Sequence, residues 1–327
     1  MVKVGILIPK EAQNAIFSPE SKKVLENIVN VVWNEKNEQL TEEEACSLLK
    51  GCEIAVSSWR TAKPTKLVLD SCPTIKLWEH AAGTVKGFFT DDIKGRDLII
   101  ASCAPAIGKT VAEMALGELI IGLRRIIPNS QQNETISGAK PDNKLYLSVS
   151  TIGVIGASRV GRYLLKLLQP FNVRILLYDP YITKEQAREL GAIKVDTLME
   201  LCEQSDAVTM HTPNTKATFH MMGEEQFKAM KDDAVFINTS RGACVDEAAL
   251  IAELKKGRLF AFLDVSDPEP ADLNSPIRTL PNIIYTSHLA GGPSIHIGNQ
   301  VVSDIQAYLK GQKLEMQVNW DMLETMA

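Results

Sequence analysis

The sequence predicts an α/β protein built from two doubly wound domains, the second inserted in the first. Three observations carry that reading. Short apolar runs alternate with helical stretches along the chain. Residues 150–179, STIGVIGASRVGRYLLKLLQPFNVRILLYD, follow the order of a single βαβ unit. A length of 327 residues suits two hydrophobic cores better than one.

Taken in order, the first domain opens with a buried-strand run at 4–8 and a helix at 21–31. An acidic helix start at 41–45 follows, and then strand runs at 53–56, 75–78 and 98–101, each bounded by polar or turn residues. Residues 111–127 read as a long helix, apolar nearly all round and stopped by Pro128. Gly117 and Gly122 in its interior cost about 1 kcal/mol each against alanine, which implies that another element packs closely there. Such a helix passes between domains or lies at a subunit contact. The polar, Gly/Pro-punctuated stretch 129–144 is expected to be a surface loop.

From Ser150 the βα rhythm resumes for six strands, at 152–155, 173–178, 207–210, 234–238, 260–265 and 283–286. The helix at 246–256 is well marked, with Asp246 and Glu247 in its first turn, Lys255 and Lys256 in its last, and Gly257 as its stop. A looser segment spans 267–280. Because the second domain is complete at Thr286, the final helix, 294–310, is expected to return to the first domain, and Gly311 stops it. The predicted organisation is therefore 1–104 with 291–327 as one domain and 105–290 as the other.

The unit at 150–179 has the form that binds a dinucleotide. A Gly-bearing turn at 156–161 opens a helix whose first N–H groups and dipole favour a pyrophosphate, and Asp179 ends the next strand, where a carboxylate reaches a ribose. The middle glycine of G-x-G-x-x-G is Ser158 here. Asp179 favours NAD, since it accepts from ribose hydroxyls and repels a 2′-phosphate, and no arginine follows in YDPYITK.

Bulk properties narrow the partners. A formal net charge of −5 gives no basic footprint for nucleic acid or an anionic membrane, so an anionic substrate needs a local cation. The six cysteines are scattered without a C-x-x-C pair and read as reduced thiols of a cytoplasmic protein. The N-terminus lacks signal-peptide architecture, and the 111–127 helix, with Glu113, Glu118, Arg124 and Arg125, is too short and too charged to span a bilayer. No metal site is expected.

Three charged or titratable residues fall just past consecutive strands. Arg241 follows the fourth, Glu269 the fifth and His288 the sixth, on the edge where open α/β sheets bind ligands. Hydride transfer between a nicotinamide and a 2-oxo or 2-hydroxy acid calls for this set. The arginine clamps the substrate carboxylate through paired charge-assisted hydrogen bonds, the histidine gives or takes the proton, and the acid holds the ring. Taken singly, each has an ordinary reading: a surface ion pair, a solvated loop acid, a core histidine. His211 reads as a loop-structuring residue, and His80, His220 and His296 have no partner pattern.

These residues bring a resemblance into view. GASRVG with Asp179, HTPNT at 211–215, INTSRGACVDEAAL at 237–250, LDVSDPEP at 263–270 and SHLAGG at 287–292 resemble the D-isomer-specific 2-hydroxyacid dehydrogenase family; AAGT at 81–84 and VAEMALGELIIGLRR at 111–125 are weaker echoes. The resemblance implies a Rossmann-type NAD-binding domain inserted in a flavodoxin-like substrate domain. It implies Arg241 on the substrate carboxylate, His288 as acid/base and Glu269 as its partner. It further implies Arg159 and Val160 at the pyrophosphate, Asp179 at the adenosine ribose, and Thr212, Thr239 and Asp264 along the nicotinamide half; Ser158 belongs to the same cofactor turn, where either the loop sits back or its hydroxyl takes over a contact. Ala82 and Gly83 are implied as the first domain's contribution to the substrate carboxylate. A homodimer through the 111–127 helix is likewise implied. Two positions depart from the family pattern: Ser158 for glycine, and Ser287 for the proline before the histidine.

The expected activity is thus hydride transfer between NAD(H) and a small 2-oxo or 2-hydroxy acid of D configuration. The competing reading is an NAD-sensing regulatory protein on the same fold, with little turnover. The substrate side chain is expected to meet residues near 57–60 and 81–84 and the C-terminal segment, with Trp59 and Arg60 as candidates.

Overall fold

The computed structural model describes residues 1–128, 130 and 146–319. The loop expected over 129–144 lies, Ser130 apart, outside them, as does the end of the C-terminal segment. The chain forms two compact units: Met1–Ile107 with Gly291–Ala327, and Gly108–Ala290.

The first unit holds a parallel sheet of β1 (Lys3–Ile6), β2 (Asn30–Trp33), β3 (Ile54–Ser57), β4 (Leu77–His80) and β5 (Ile99–Ser102), in the order β2-β1-β3-β4-β5. That is the flavodoxin-like order. Between the strands lie α1 (Lys10–Ile16), α2 (Pro19–Ile28), α3 (Glu42–Leu49) and α4 (Lys66–Ser71). The ends of the helices follow from their caps. Ser18 accepts from the Ser21 N–H ahead of α2, with Pro19 at a position that needs no N–H, and Thr41 and Glu44 form a reciprocal capping box on α3. The helix read over 21–31 is corrected: it ends at Ile28, and the β-branched pair Val31 and Val32 belongs to the edge strand β2.

The helix expected over 111–127 is α5 (Ala104–Leu123). It starts seven residues earlier than the apolar pattern suggested and ends before Pro128, at a turn where Arg125 takes the left-handed conformation (φ 51°). Pro105 sits in its first turn, where a missing N–H costs nothing. Gly122 does mark close packing, since a Cβ there would come within 2.8 Å of Val235 and 2.9 Å of Phe262; Gly117 faces open space.

The second unit is built around β6 (Thr151–Ile155), α6 (Arg159–Leu168), β7 (Arg174–Tyr178), α7 (Lys184–Glu189), β8 (Ile193–Lys194), α8 (Leu198–Gln204) and β9 (Ala207–Met210). α9 (Glu224–Ala229), β10 (Ala234–Asn238), α10 (Glu247–Lys255), β11 (Leu259–Leu263) and β12 (Ile283–Tyr285) complete it. All seven strands are parallel, in the order β12-β11-β10-β9-β6-β7-β8, one more than the six expected. The order reverses at β6 and β9, the switch point where such sheets open a ligand crevice.

Alternation along the strands divides the core between two faces. Ile152 and Val154 of β6 pack with Leu164, Leu165 and Leu168 of α6 on one face. Ile155, Val208 and Phe236 face the other, where Phe227 of α9 meets Phe236 edge-on at 5.1 Å. Each such buried side chain contributes about 1.5–3 kcal/mol by leaving water. In the first unit α11 (Ile295–Leu309) places Ile297, Val301 and Ile305 in the core with Val4, Ile6 and Leu77.

Candidate active site

In the second unit the sheet delivers its reactive groups to one edge. β10 ends at Asn238, whose side chain organises the turn that follows: its oxygen accepts from the N–H and hydroxyl of Ser240 at 3.0 and 2.8 Å, and its amide donates to the Arg241 carbonyl at 3.0 Å. Arg241 is half-buried and spends one N–H on the Ser240 carbonyl at 2.6 Å, so most of its fork remains to meet an anion. Gly242 follows because no side chain fits: a Cβ there would lie 2.1 Å from the Ser266 carbonyl group. The Arg241 turn is thereby pressed on the segment that leads to Glu269.

That segment is tied down on both sides of Glu269. The Ser266 hydroxyl lies 3.0 Å from the Tyr285 hydroxyl and donates to the Pro268 carbonyl at 2.8 Å, the Asp267 N–H donates to Glu247 at 2.7 Å, and the Ala271 N–H donates to the Tyr285 oxygen at 3.2 Å. Glu269 Oε1 then stands 2.5 Å from His288 Nδ1. With Nδ1 so engaged, Nε2 is the ring nitrogen left to exchange a proton with a ligand.

His288 takes the left-handed conformation (φ 55°), uncommon for a residue other than glycine, and its surroundings hold it there. Asp264, directly after β11 and 1% exposed, does the holding. Its carbonyl accepts from the His288 N–H at 2.7 Å. Its carboxylate accepts from the Thr286 hydroxyl and the Leu289 N–H at 2.6 Å each, and from the Ala290 N–H at 2.9 Å. The family resemblance implied Asp264 along the cofactor; its contacts within the chain also make it the anchor of the histidine loop.

At the dinucleotide turn, Gly156 has φ 93° and a Cβ there would lie 2.7 Å from the His211 carbonyl, so glycine is required. Ser158, in place of the middle glycine, has the ordinary extended conformation (φ −63°, ψ 179°) and caps α6 by accepting from the Gly161 N–H at 3.4 Å. Arg159 and Val160 form the first turn, whose N–H groups have no intrahelical acceptor. Asp179 accepts from the Ala157 N–H at 2.7 Å and the Tyr181 N–H at 2.8 Å, which fixes the carboxylate beside the turn and leaves it lone pairs for ribose hydroxyls. The Thr239 hydroxyl is buried without a partner among the described residues. Among the described residues the Thr212 hydroxyl has only long contacts, to the sulfurs of Met221 (3.9 Å) and Cys244 (3.7 Å). A glycine cradle at a helix N-terminus, a fixed carboxylate and an orphan buried hydroxyl fit a dinucleotide. His211 is buried and pushed down to about 3 by burial, so it is neutral, and its Nε2 pairs with Thr209 at 3.0 Å.

In the first unit, the loop after β4 carries Ala82 and Gly83. Its carbonyls are spoken for: Ser58 donates to Ala81 at 2.8 Å and Ser102 to Ala82 and Gly83 at 3.2 and 2.8 Å. His80, for which the sequence offered no partner, belongs to a buried chain beneath this loop. Trp78 Nε1 donates to the Ser57 hydroxyl at 2.8 Å, and that hydroxyl lies 2.9 Å from His80 Nδ1. The His80 ring also hydrogen-bonds the Thr84 backbone. Burial pushes His80 down to about 4. Of the pocket candidates, Arg60 (φ 54°) is exposed and Trp59 is 40% exposed, which rules out core packing for the latter.

Fold and site together define an α/β protein with an NAD-binding Rossmann domain. Residues 116–290 match the model of the NAD-binding domain of D-isomer-specific 2-hydroxyacid dehydrogenases. The chain is 33% identical to a D-3-phosphoglycerate dehydrogenase of Methanocaldococcus jannaschii over 98% of its own length, and it spans 60% of the length of that relative. It is 31% identical to a glyoxylate reductase of Thermococcus litoralis over 80% of this chain and 82% of the other. The chain belongs to the D-isomer-specific 2-hydroxyacid dehydrogenase family, and its cofactor is NAD. The NAD-complexed D-isomer-specific 2-hydroxyacid dehydrogenase of Lactobacillus delbrueckii ssp. bulgaricus has the same fold, with a TM-score of 0.81 at 21% identity, covering 98% of this chain and 100% of that one. Among the described residues no helix is long and apolar enough to cross a membrane.

Proposed function

We propose that this protein reduces a small 2-oxo acid to the D-2-hydroxy acid, or runs the reverse reaction, with NAD(H). The observation that carries the reading is the His288–Glu269 contact at 2.5 Å on the ligand edge of the sheet. NADH, when bound, supplies the hydride. Arg241 clamps the substrate carboxylate and so orients the carbonyl carbon. His288 gives the proton on Nε2 to the carbonyl oxygen, and Glu269 keeps the ring in the tautomer and orientation that allow it. Ser158, Arg159 and Val160 would hold the pyrophosphate, Asp179 the ribose, and Thr212 and Thr239 the nicotinamide half, with Asp264 beneath. The N–H groups around Ala82 and Gly83 would receive the substrate carboxylate from the first unit.

A panel read by NADH absorbance tests this: glyoxylate and hydroxypyruvate for reduction, D-lactate and D-3-phosphoglycerate, each against its L isomer, for oxidation. Turnover of at least one with D preference is expected, and His288→Ala should lower kcat by about 10²- to 10⁴-fold. NADH binding without turnover of any member would sink the reading and revive the regulatory one, which the acid–base pair disfavours. We further infer a homodimer, supported by the half-exposed Leu116, Ile120 and Ile121 on α5, and a cytoplasmic location, supported by six free cysteines. A monomer mass in solution would contradict the first, and secretion of the native protein the second.

A further inference from the structure

Glu118 is an acid in the middle of an otherwise apolar helix. It is 7% exposed, and its Oε2 is buried with no partner among the described residues. Its neighbours on α5 fix where it stands. Thr110 donates to the Ala290 carbonyl at 3.2 Å, while Gly122 presses on Val235 of β10 and Phe262 of β11. The helix thus runs from the end of the His288 loop down to the middle of the two strands. Residues four apart share a helix face, so Glu118 lies over the same strands one turn nearer their C-terminal ends, where Asp264 follows β11.

Asp264 is the charged group that faces it. β10 and β11 offer Val235 and Phe262 to this side, and α6 offers Tyr163 and Arg159 beside Gly108, well over two turns away. On α5 itself Lys109 and Glu113 are exposed, and in the turn after it Arg124 is exposed and Arg125 lies over Phe260.

We propose that Glu118 is a positioning residue for His288: it stays protonated beside Asp264, which leaves Asp264 as the single negative charge that gathers Thr286, Leu289 and Ala290 around the histidine. The proposal rests on the reading of His288 as the acid–base group. Three donors converge on Asp264 and none is asked of it, so it acts as a carboxylate. A second ionised carboxylate buried opposite it would repel it. Burial first, and Asp264 second, push Glu118 up to about 8, which keeps it neutral at ordinary pH. As pH climbs toward that value the advantage is lost and the loop should loosen. Glu118 thereby sets an alkaline limit on the histidine's placement.

The test is amide hydrogen exchange of Leu289 and Ala290, followed by NMR on the full chain without substrate between pH 6 and 10. Protection, corrected for the intrinsic rate, should fall as pH climbs from 6 toward about 8, approaching tenfold per pH unit, and level off above it. In Glu118→Gln it should stay level across the range; Glu118→Met, uncharged and of similar volume, repeats the comparison if the glutamine variant does not fold. Level protection in the native chain, or an equal fall in an uncharged variant, overturns the proposal. Because no substrate is present, this outcome is independent of whether any 2-oxo acid is turned over.

Discussion

Asp264 holds His288 twice, by its carbonyl on the histidine N–H at 2.7 Å and by its carboxylate on the residues either side. Glu269 holds only the ring. Orientation of the imidazole and placement of its backbone are therefore separable.

Asp264→Asn should expose that separation. An asparagine offers one acceptor oxygen where three donors converge, and turns an N–H₂ toward at least one of them. A loss of about 1–3 kcal/mol of stability is expected from each donor left unpaired. Denaturant unfolding measures it, and kcat should fall by more than tenfold while NADH affinity changes less. An unchanged unfolding midpoint would show that the loop does not depend on the carboxylate.

Ser158→Gly should change NADH binding by less than about threefold. The serine already has an extended backbone, and glycine in place of a capping serine costs a helix only a few tenths of a kcal/mol. Fluorescence titration with NADH checks this. A drop beyond about tenfold would mean that the hydroxyl itself grips the pyrophosphate.

Ser57→Ala should act on substrate binding from below. The change leaves Trp78 Nε1 and His80 Nδ1 buried and unpaired under the 81–84 loop, at about 1–3 kcal/mol for each. KM for the 2-oxo acid should rise several-fold more than kcat falls, because the acid–base pair lies in the other unit. Steady-state kinetics separates the two; an equal effect on both parameters would argue against a binding role for the loop.

Glu79→Gln should make the protein more tolerant of alkali. Glu79 is wholly buried in the first unit, its Oε1 meets the Cys103 thiol, and its Oε2 lacks a partner among the described residues. Burial, and then Asp304, raise its carboxyl well above the usual 4.5. An acid whose folded value is raised favours the folded state fully below its unfolded value, and that advantage is lost as pH climbs toward the folded one. The native chain should therefore lose stability steadily above pH 4.5, and the glutamine variant less. Thermal midpoints from pH 5 to 9 give the comparison; parallel curves would refute it.

What the sequence made legible was the chemistry at strand ends. Arg241, Glu269 and His288 are charged or titratable residues beside apolar runs, and periodicity alone locates them. Elements with little periodic signal were lost. β8 is two residues long with Ile193 53% exposed, and β2 is an edge strand with no fully buried residue, continuous in sequence with a helix. The start of α5 was masked by Pro105 and Gly108, which read as breakers until their neighbours are seen. The roles of Asp264, Ser57 and Glu118 depend on contacts across 22 to 26 residues or on burial, and spacing carries neither. In sequence, Glu118 only makes the helix too charged to span a bilayer.

The stretch from Asp264 to Ala290 leaves and returns to one side chain, so it is a closed ring in all but covalent terms. Both members of the acid–base pair lie inside the ring, and Tyr285 braces it internally at Ser266 and Ala271. Its outer arc, with Leu273 87% exposed, is free of that closure. Insertions or deletions near residue 273 should therefore be absorbed locally, and a lineage or an engineer is free to remodel that arc while the distance between Glu269 and His288 is kept.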